Sequence, residues 1–187
     1  MKSISKLVII LTVIFMLGGL IHASTAQLIY QRPFFDIIEN ASTQYGMDPL
    51  LITAIMKVES GFDPHARSHA DAFGLMQVRQ PTADWCAQRI GLLQFDLMNP
   101  EDNIRIGVHF FAYLMEKYNG NIDVALAAYN AGEGNVDRWL NDPRFSQDGV
   151  NLDDMPFRET IMYVRNVNRH WNNYKSLYRG NWNVLSR

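Results

Sequence analysis

Apolar residues recur at helical spacing along most of the chain, and this pattern predicts a series of amphipathic helices with few strand signals. Asp48-Pro49 and Asn99-Pro100 are typical of helix starts, and Gly120 is typical of a helix end. The predicted helices cover residues 34–45, 49–60, 81–90, 99–120, 124–129 and 156–174, with a turn at Gly132-Glu133-Gly134. Because no repeat or Pro- or Ser-rich linker divides the sequence, we expect one all-α (mostly α-helical) domain, with its core at about residues 34–174.

Residues 1–26 have a different pattern. Two lysines precede an apolar run over residues 7–21, and the small residues Ser24 and Ala26 follow. This pattern is typical of a secretory signal peptide cleaved after Ala26, which would leave residues 27–187 as an exported, periplasmic domain. The run is shorter than the about 20 residues that span a bilayer, but its basic start also fits an alternative, an uncleaved anchor in the inner membrane.

Composition narrows the class of protein. Of the 187 residues 48% are hydrophobic, and 17 Lys and Arg against 19 Asp and Glu give a net charge of −2. We therefore expect no nucleic-acid partner. The single Cys86 excludes an internal disulfide and fits a buried, inert thiol on a helix face. His65 and His69 lie in a predicted loop without a nearby third ligand, so we expect no metal and no cofactor.

One acidic residue lies on the apolar stripe of the second predicted helix. Ile52, Ile55, Met56 and Glu59 share one helical face, which should point inward. A carboxyl group in such a place is costly to ionise, so its pKa should rise. A carboxyl that stays protonated near neutral pH can serve as a general acid. The alternative is a helix-end glutamate that turns to solvent or caps the following loop.

Polar and aromatic residues are concentrated in four further segments. They are Ala66-Arg67-Ser68, Phe73-Gly74-Leu75-Met76-Gln77, Ala128-Tyr129-Asn130-Ala131-Gly132, and Met155-Pro156-Phe157-Arg158-Glu159-Thr160 followed by Tyr163. Taken singly, each has an ordinary interpretation as a turn, a cap or a solvated helix face. Their order after Val58-Glu59-Ser60-Gly61-Phe62 is a more specific signal.

In this order the segments resemble the catalytic domain of the soluble-type (SLT) lytic transglycosylases, relatives of goose-type lysozyme that cleave bacterial peptidoglycan. The resemblance covers roughly residues 34–174 and implies a lysozyme-like single domain with a saccharide-binding cleft. It implies that Glu59 is the sole catalytic acid/base and that Ser68 helps to orient the substrate. It also implies that the cleft residues that bind substrate include Gln77, Tyr129, Asn130, Glu159 and Tyr163.

Two positions depart from the family pattern. Arg79 stands where the family has a methionine that would line the cleft, and Ile161 stands where an arginine commonly follows Glu-Thr. The family therefore does not predict the chemistry of the cleft at Arg79. Neither departure touches Glu59.

The resemblance implies a reaction with one carboxyl group, whereas ordinary glycosidases pair two. Protonated Glu59 would donate to the glycosidic oxygen between N-acetylmuramic acid and N-acetylglucosamine. Ionised Glu59 would then take a proton from the C6 hydroxyl of the muramyl sugar, which attacks C1 and forms a 1,6-anhydro end. Two alternatives stay open: a goose-type lysozyme-like hydrolase that uses water, and a non-catalytic peptidoglycan-binding module of an envelope-spanning machine.

The expected partner is the glycan strand of peptidoglycan, bound by a monomer. Because the net charge is negative, an anionic wall would not be attracted over long range, so recognition should be local. A small exported enzyme of this kind would serve general wall turnover or open the wall for a secretion or conjugation apparatus.

Overall fold

The computed structural model describes residues 29–185, and side chains as far as residue 178. The helices and strands of this range are α1 (Phe35–Tyr45), α2 (Pro49–Glu59), β1 (Ala72–Phe73), β2 (Val78–Arg79), α3 (Gln80–Ile90), α4 (Pro100–Lys117), α5 (Ile122–Ala131), α6 (Glu133–Leu140) and α7 (Arg158–Leu185). The two short strands pair antiparallel, with Ala72 opposite Arg79 and Phe73 opposite Val78. The prediction of an all-α, mostly α-helical domain is confirmed.

Helix α2 forms the centre of the core. Its residues 50–56 are all buried, and the helix packs against both α1 and α7. Its start is fixed by Asp48, whose carboxylate accepts a hydrogen bond from the Leu50 N–H at 2.8 Å, and by Pro49 in the first turn. Because the helix is enclosed over two turns, its last residue, Glu59, lies where the core meets the surface.

Helix α4 spans the domain and packs against α1, α3 and α5. The Asn99 side chain caps its start by accepting from the N–H groups of Glu101 and Asp102 at 2.9 and 3.2 Å. Ile104, Val108 and Phe111 of this helix are buried, and neighbouring positions such as Ile106 and Leu114 also face the core, so the buried face of the helix is broad.

A buried side-chain amide joins α4 to the turn between the two strands. Asn103 is 1% exposed, and its Oδ1 accepts a hydrogen bond from the Met76 N–H at 2.8 Å. Its Nδ2 donates to the carbonyls of Phe73 at 2.8 Å and Leu97 at 2.9 Å. Gly74 has φ +71, and a Cβ there would lie 2.3 Å from the Leu97 carbonyl oxygen, so this close approach requires glycine.

Two helix boundaries differ from the prediction. The predicted turn at residues 132–134 is wrong beyond Gly132, because α6 begins at the next residue and Gly134 lies inside it. Gly134 weakens that helix by about 1 kcal/mol relative to alanine, but the buried Trp139 and Val136 offset this cost. Helix α7 continues beyond the predicted end at residue 174, and Tyr178 on the added part packs against Tyr174.

The thiol is buried on a helix face and the two histidines lie in a loop, as their sequence context predicted. Cys86 is buried in α3, and burial raises the pKa of its thiol to about 12, so it stays protonated. His65 and His69 lie in the loop between α2 and β1. Within residues 29–185 the structure shows no group of three or more His, Cys, Asp or Glu side chains that could hold a metal ion.

The residues just ahead of α1 are held against α7. The Tyr178 hydroxyl donates to the Tyr30 carbonyl at 2.7 Å, and the Tyr174 hydroxyl donates to the Gln31 carbonyl at 3.0 Å. The Arg32 guanidinium carbon lies 3.9 Å from the centroid of the Tyr178 ring, which is a cation–π contact. These contacts join the beginning of the described chain to its last helix.

The predicted signal peptide, residues 1–26, lies outside the described residues, so its cleavage and the domain bounds 27–187 stay predictions. Over residues 29–185, none of the helices combines the length and the apolar character that a membrane span requires.

Candidate active site

A cleft of about 360 Å³ lies at the end of α2. All of the predicted site residues except Tyr163 line it, namely Glu59, Ser68, Gln77, Tyr129, Asn130 and Glu159. They come from the end of α2, the loop and strands that follow, the end of α5 and the first turn of α7. The fold therefore brings four separate segments of the sequence to one surface.

Glu59 has the electrostatic character of a proton donor. Its side chain is partly buried, and burial is the largest cause that raises its pKa to about 7. The nearby negative charge of Glu159 raises this pKa further, whereas the Tyr163 hydroxyl lowers it. The predicted rise in the pKa of Glu59 is confirmed, and a substantial fraction of the group is protonated at neutral pH.

Ser60 fixes the end of the helix that carries Glu59. Its hydroxyl donates to the Leu75 carbonyl at 2.8 Å, and its oxygen accepts from the Phe62 N–H at 3.1 Å. These two bonds join the last turn of α2 to the turn between the strands. The backbone at the end of α2, and with it the Cα of Glu59, is thereby held against the turn between the strands.

Tyr163 lies beside Glu59 beneath the cleft surface. It is 6% exposed, on α7, and burial together with the Glu59 charge raises its pKa far above the ordinary value, so the hydroxyl keeps its proton. Among the residues described, that hydroxyl has no partner at ordinary hydrogen-bond geometry, yet it faces Glu59 and lowers the pKa of the carboxyl. Tyr163 is thus placed to act on the Glu59 carboxyl.

Ser68 and Gln77 line the cleft, and most of their side-chain polar atoms form hydrogen bonds with backbone groups. The Ser68 oxygen accepts from the N–H groups of Ala70 and Ala72 at 3.2 and 3.1 Å. The Gln77 Nε2 donates to the carbonyls of Gly74 at 2.8 Å and Ala66 at 3.2 Å. A ligand in the cleft is left with the Ser68 proton and the Gln77 side-chain oxygen.

Tyr129 and Asn130 line the cleft from the end of α5. The Tyr129 hydroxyl donates to the Met76 carbonyl at 2.8 Å, so the residue offers a ligand its ring and not its hydroxyl. The Thr160 hydroxyl donates to Asn130 Oδ1 at 2.8 Å, which leaves the Asn130 amide N–H groups for a ligand. The two bonds join α5 to the strand turn and to the first turn of α7.

Several lining residues were not predicted. Thr82 and Phe110 both border the cleft. Phe110 is adjacent to the core residue Phe111 on α4, and its ring centroid lies 5.5 Å from that of Tyr129. The sequence alone gives little reason to place Phe110 in a cleft, because an aromatic residue beside a buried helical stripe is expected to belong to the core. Arg79 also lines the cleft, at the position where the sequence departs from the family.

Replacing Glu159 and Tyr163 should move the pKa of Glu59 in opposite directions. Glu159→Gln removes a negative charge, so the pKa should fall, and Tyr163→Phe removes a hydroxyl that favours the ionised form, so the pKa should rise. Carbon-13 NMR titration of the Glu59 carboxyl should show midpoints below and above the wild-type midpoint. Glu116→Gln, at an exposed position on α4, is the matched control and should change nothing. Shifts of the same sign in the two variants would contradict this account of the site.

Comparison with known proteins identifies the family. The family model described as the transglycosylase SLT domain matches residues 36–150, which is more than half of the chain. The chain belongs to this family. The match includes Glu59 and the cleft segments as far as Asn130, so the SLT domain contains most of the candidate site.

Curated relatives of this SLT domain are lytic murein transglycosylases. The soluble lytic murein transglycosylase of Salmonella typhimurium is 36% identical over 119 residues, which cover 61% of this chain and 18% of that protein. The membrane-bound lytic murein transglycosylase C of Edwardsiella ictaluri is 33% identical over 174 residues, or 77% of this chain and 47% of that protein. The chain thus spans less than half the length of these relatives.

Solved structures share the fold of the SLT domain. An inactive mutant of the lytic transglycosylase Slt from Pseudomonas aeruginosa, with a glutamate changed to glutamine, matches 80% of this chain and 25% of that one, at 30% identity and a TM-score of 0.71. A complex of the 70-kDa soluble lytic transglycosylase with bulgecin A matches 81% of this chain and 25% of that one, at 26% identity and a TM-score of 0.72.

Proposed function

We propose that this chain is a peptidoglycan lytic transglycosylase that cleaves the β-1,4 bond between N-acetylmuramic acid and N-acetylglucosamine. The observation that carries the proposal is Glu59, a partly buried carboxyl with a pKa of about 7 in the cleft of an SLT domain. The names of the relatives, lytic murein transglycosylases, support the same activity.

The first step is protonation of the leaving group. The protonated fraction of Glu59 is held by desolvation and by the negative charge of Glu159, so a proton is available at neutral pH to the glycosidic oxygen. Its transfer breaks the bond from C1 to that oxygen, and the muramyl centre gains oxocarbenium character. The departing N-acetylglucosamine keeps the bonding electron pair and the proton.

The second step uses the same carboxyl as a base. Ionised Glu59 takes the proton of the muramyl C6 hydroxyl as that oxygen attacks C1, which closes a 1,6-anhydro ring and restores protonated Glu59. No water is consumed, and the step requires no metal or cofactor. The Tyr163 hydroxyl favours the ionised carboxylate, and burial favours the protonated acid, so the pKa lies where both forms are accessible.

The remaining cleft residues hold the glycan. We assign stacking to the Tyr129 ring, hydrogen-bond donation to Asn130 and Ser68, and acceptance to the Gln77 side-chain oxygen. Glu159 contributes its negative charge at the first turn of α7. With these short-range contacts an acidic protein can bind an anionic polymer.

The proposed enzyme is an exported, periplasmic monomer, with or without a membrane anchor in residues 1–26. Its partner is the glycan strand of peptidoglycan. The relatives are named both soluble and membrane-bound, so either arrangement has a counterpart among them. Action with a secretion or conjugation apparatus stays a prediction.

Mass spectrometry of the products tests the function. Purified sacculi digested with the protein should release muropeptides with 1,6-anhydro ends, each one water lighter than a hydrolysed end. Glu59→Gln is the matched control and should release them more slowly by about a thousandfold or more. Hydrated ends would replace the proposal with a goose-type lysozyme-like hydrolase. Binding to sacculi without release of either product would replace it with a non-catalytic peptidoglycan-binding module.

A further inference from the structure

Arg79 occupies a fixed position in the wall of the cleft. It is the second residue of β2, where it pairs with Ala72 of β1, and α3 begins at the following residue. Val78 is buried and Arg79 is exposed, as the alternation of a strand requires, and the Arg79 side chain lines the cleft. Pairing on one side and a helix on the other hold its backbone in place.

Within the part of the chain that the structure describes, the Arg79 guanidinium forms no ion pair. Two other arginines of the described residues form ion pairs, Arg67 with Asp71 at 2.8 Å and Arg144 with Asp142 at 2.6 Å. Over the described residues, by contrast, no hydrogen bond, ion pair or ring contact involves the Arg79 guanidinium. The other charged groups of the cleft lining that the structure describes, Glu59 and Glu159, are both acidic.

We propose that Arg79 binds a carboxylate of the muramyl residue and so makes the cleft selective for muramyl glycans over neutral ones. The inference rests on the proposed function and names a specificity-determining residue for it. A guanidinium is a planar fork of donors that matches a carboxylate with two parallel hydrogen bonds. N-acetylmuramic acid differs from N-acetylglucosamine by its lactyl group, which ends in a carboxylate or carries a peptide stem with carboxylates of its own.

The bound glycan strengthens this contact. An ion pair between exposed side chains contributes little in water, because solvent screens both charges. A sugar chain in the cleft displaces water from around Arg79, and the lower local dielectric increases the attraction between guanidinium and carboxylate. In the described lining of the cleft Arg79 is the one cation, beside the acidic Glu59 and Glu159, so an anionic ligand finds its favourable charge contact at this residue.

Binding measurements on the full chain test the proposal without turnover. Calorimetry measures the binding of ligands to three proteins that all carry Glu59→Gln. One keeps Arg79, one carries Arg79→Met, which introduces the residue usual in the family, and one carries Arg79→Lys. The ligands are chitotetraose, a muramyl tetrasaccharide with free lactyl carboxylates, the same glycan with peptide stems, and one whose stem carboxylates are amidated. Arg169→Met, at an exposed position of α7 outside the cleft lining, is matched to Arg79→Met in charge.

Arg79→Met should weaken binding of a carboxylate-bearing glycan about tenfold and leave chitotetraose within about twofold. Arg79→Lys should recover part of the loss, and Arg169→Met should reproduce none of it. A loss with the bare muramyl glycan assigns the lactyl carboxylate, and a loss only with free-carboxylate stems assigns the stem. Equal losses for chitotetraose and the muramyl glycans, or no loss with any carboxylate ligand, would overturn the proposal.

The outcome is separable from that of the proposed function. If the wild-type protein released no anhydro ends but Arg79→Met still weakened carboxylate binding selectively, the lytic transglycosylase assignment would fail and the assignment of Arg79 would stand. If anhydro ends formed and Arg79→Met had no selective effect on binding, the lytic transglycosylase assignment would stand and the assignment of Arg79 would fail.

Discussion

Replacing Glu59 with glutamine is expected to lower the rate of release of anhydro ends by about a thousandfold or more, because general acid–base catalysis contributes about 10²–10⁴ and this carboxyl serves twice. Glutamine keeps the volume of the side chain but has no proton to transfer at neutral pH. Product release from sacculi, followed by chromatography, measures the loss. Circular dichroism should show an unchanged helical content. Retention of full activity would remove Glu59 from its catalytic role.

The same substitution should stabilise the fold in a pH-dependent way. Burial raises the pKa of Glu59 from 4.5 to about 7, so between these values the folded state binds more protons than the unfolded state. Stability due to this group is therefore present at low pH and is lost as pH rises through the folded pKa. The advantage of Glu59→Gln over wild type should grow by roughly 3 kcal/mol between pH 4 and pH 8.

Urea denaturation at the two pH values measures this difference. Glu116→Gln, which removes an exposed acid from α4, serves as the control and should show no such growth. A difference between Glu59→Gln and wild type that stays constant with pH would mean that the Glu59 carboxyl is not desolvated in the folded state. Catalysis at this position is thus expected at a cost in stability, as is common for active-site groups.

Replacing Asn103 with leucine is expected to lower the free energy of unfolding by about 3–5 kcal/mol. The change leaves the Met76 N–H and two backbone carbonyls without partners in a buried place, and each unsatisfied group costs about 1–3 kcal/mol. Urea denaturation followed by circular dichroism measures the loss. The turn that carries Gln77 and accepts from Tyr129 should loosen with it, so affinity for glycan should fall as well.

Two further variants separate lost hydrogen bonds from altered volume. Asn103→Asp keeps the size and the acceptor, but an ionised carboxylate cannot donate to the carbonyls of Phe73 and Leu97, so its destabilisation should increase as pH rises above the aspartate pKa. Asn172→Leu, at an exposed position of α7, is the matched control and should change stability by about 0.5 kcal/mol or less. A mild effect of Asn103→Leu would show that water satisfies the turn.

Local signals in the sequence were sufficient to predict most of the helices and the acidic residue Glu59. Cap residues act on their immediate neighbours, so Asp48-Pro49 and Asn99-Pro100 marked two helix starts that the structure confirms. Glu59 could be predicted because a charged residue at a buried helical position conflicts with the periodicity around it. Both predictions depend only on residues within one or two turns of a single helix.

Features that depend on contacts between distant segments could not be predicted in this way. The resemblance placed Tyr163 among the cleft residues, but its position beneath the surface depends on how α7 packs against α2. The three bonds of Asn103 reach residues up to 30 positions away, and nothing near Asn103 in the sequence marks them. Helix α6 was not predicted because it is short and contains Gly134, which disfavours a helix. Its apolar residues Val136 and Trp139 stabilise it through packing in the folded domain.

The attachment of Tyr30 and Gln31 to α7 would limit the working range of an anchored enzyme. If the apolar run over residues 7–21 remained in a membrane, residues 22–28 would lie between that run and the described chain, and seven residues extend at most about 25 Å. A domain of this size has a radius of gyration of about 15 Å. The reach of the cleft into the wall would then be limited to the dimensions of the domain and this short segment, so only strands near the bilayer would be cut.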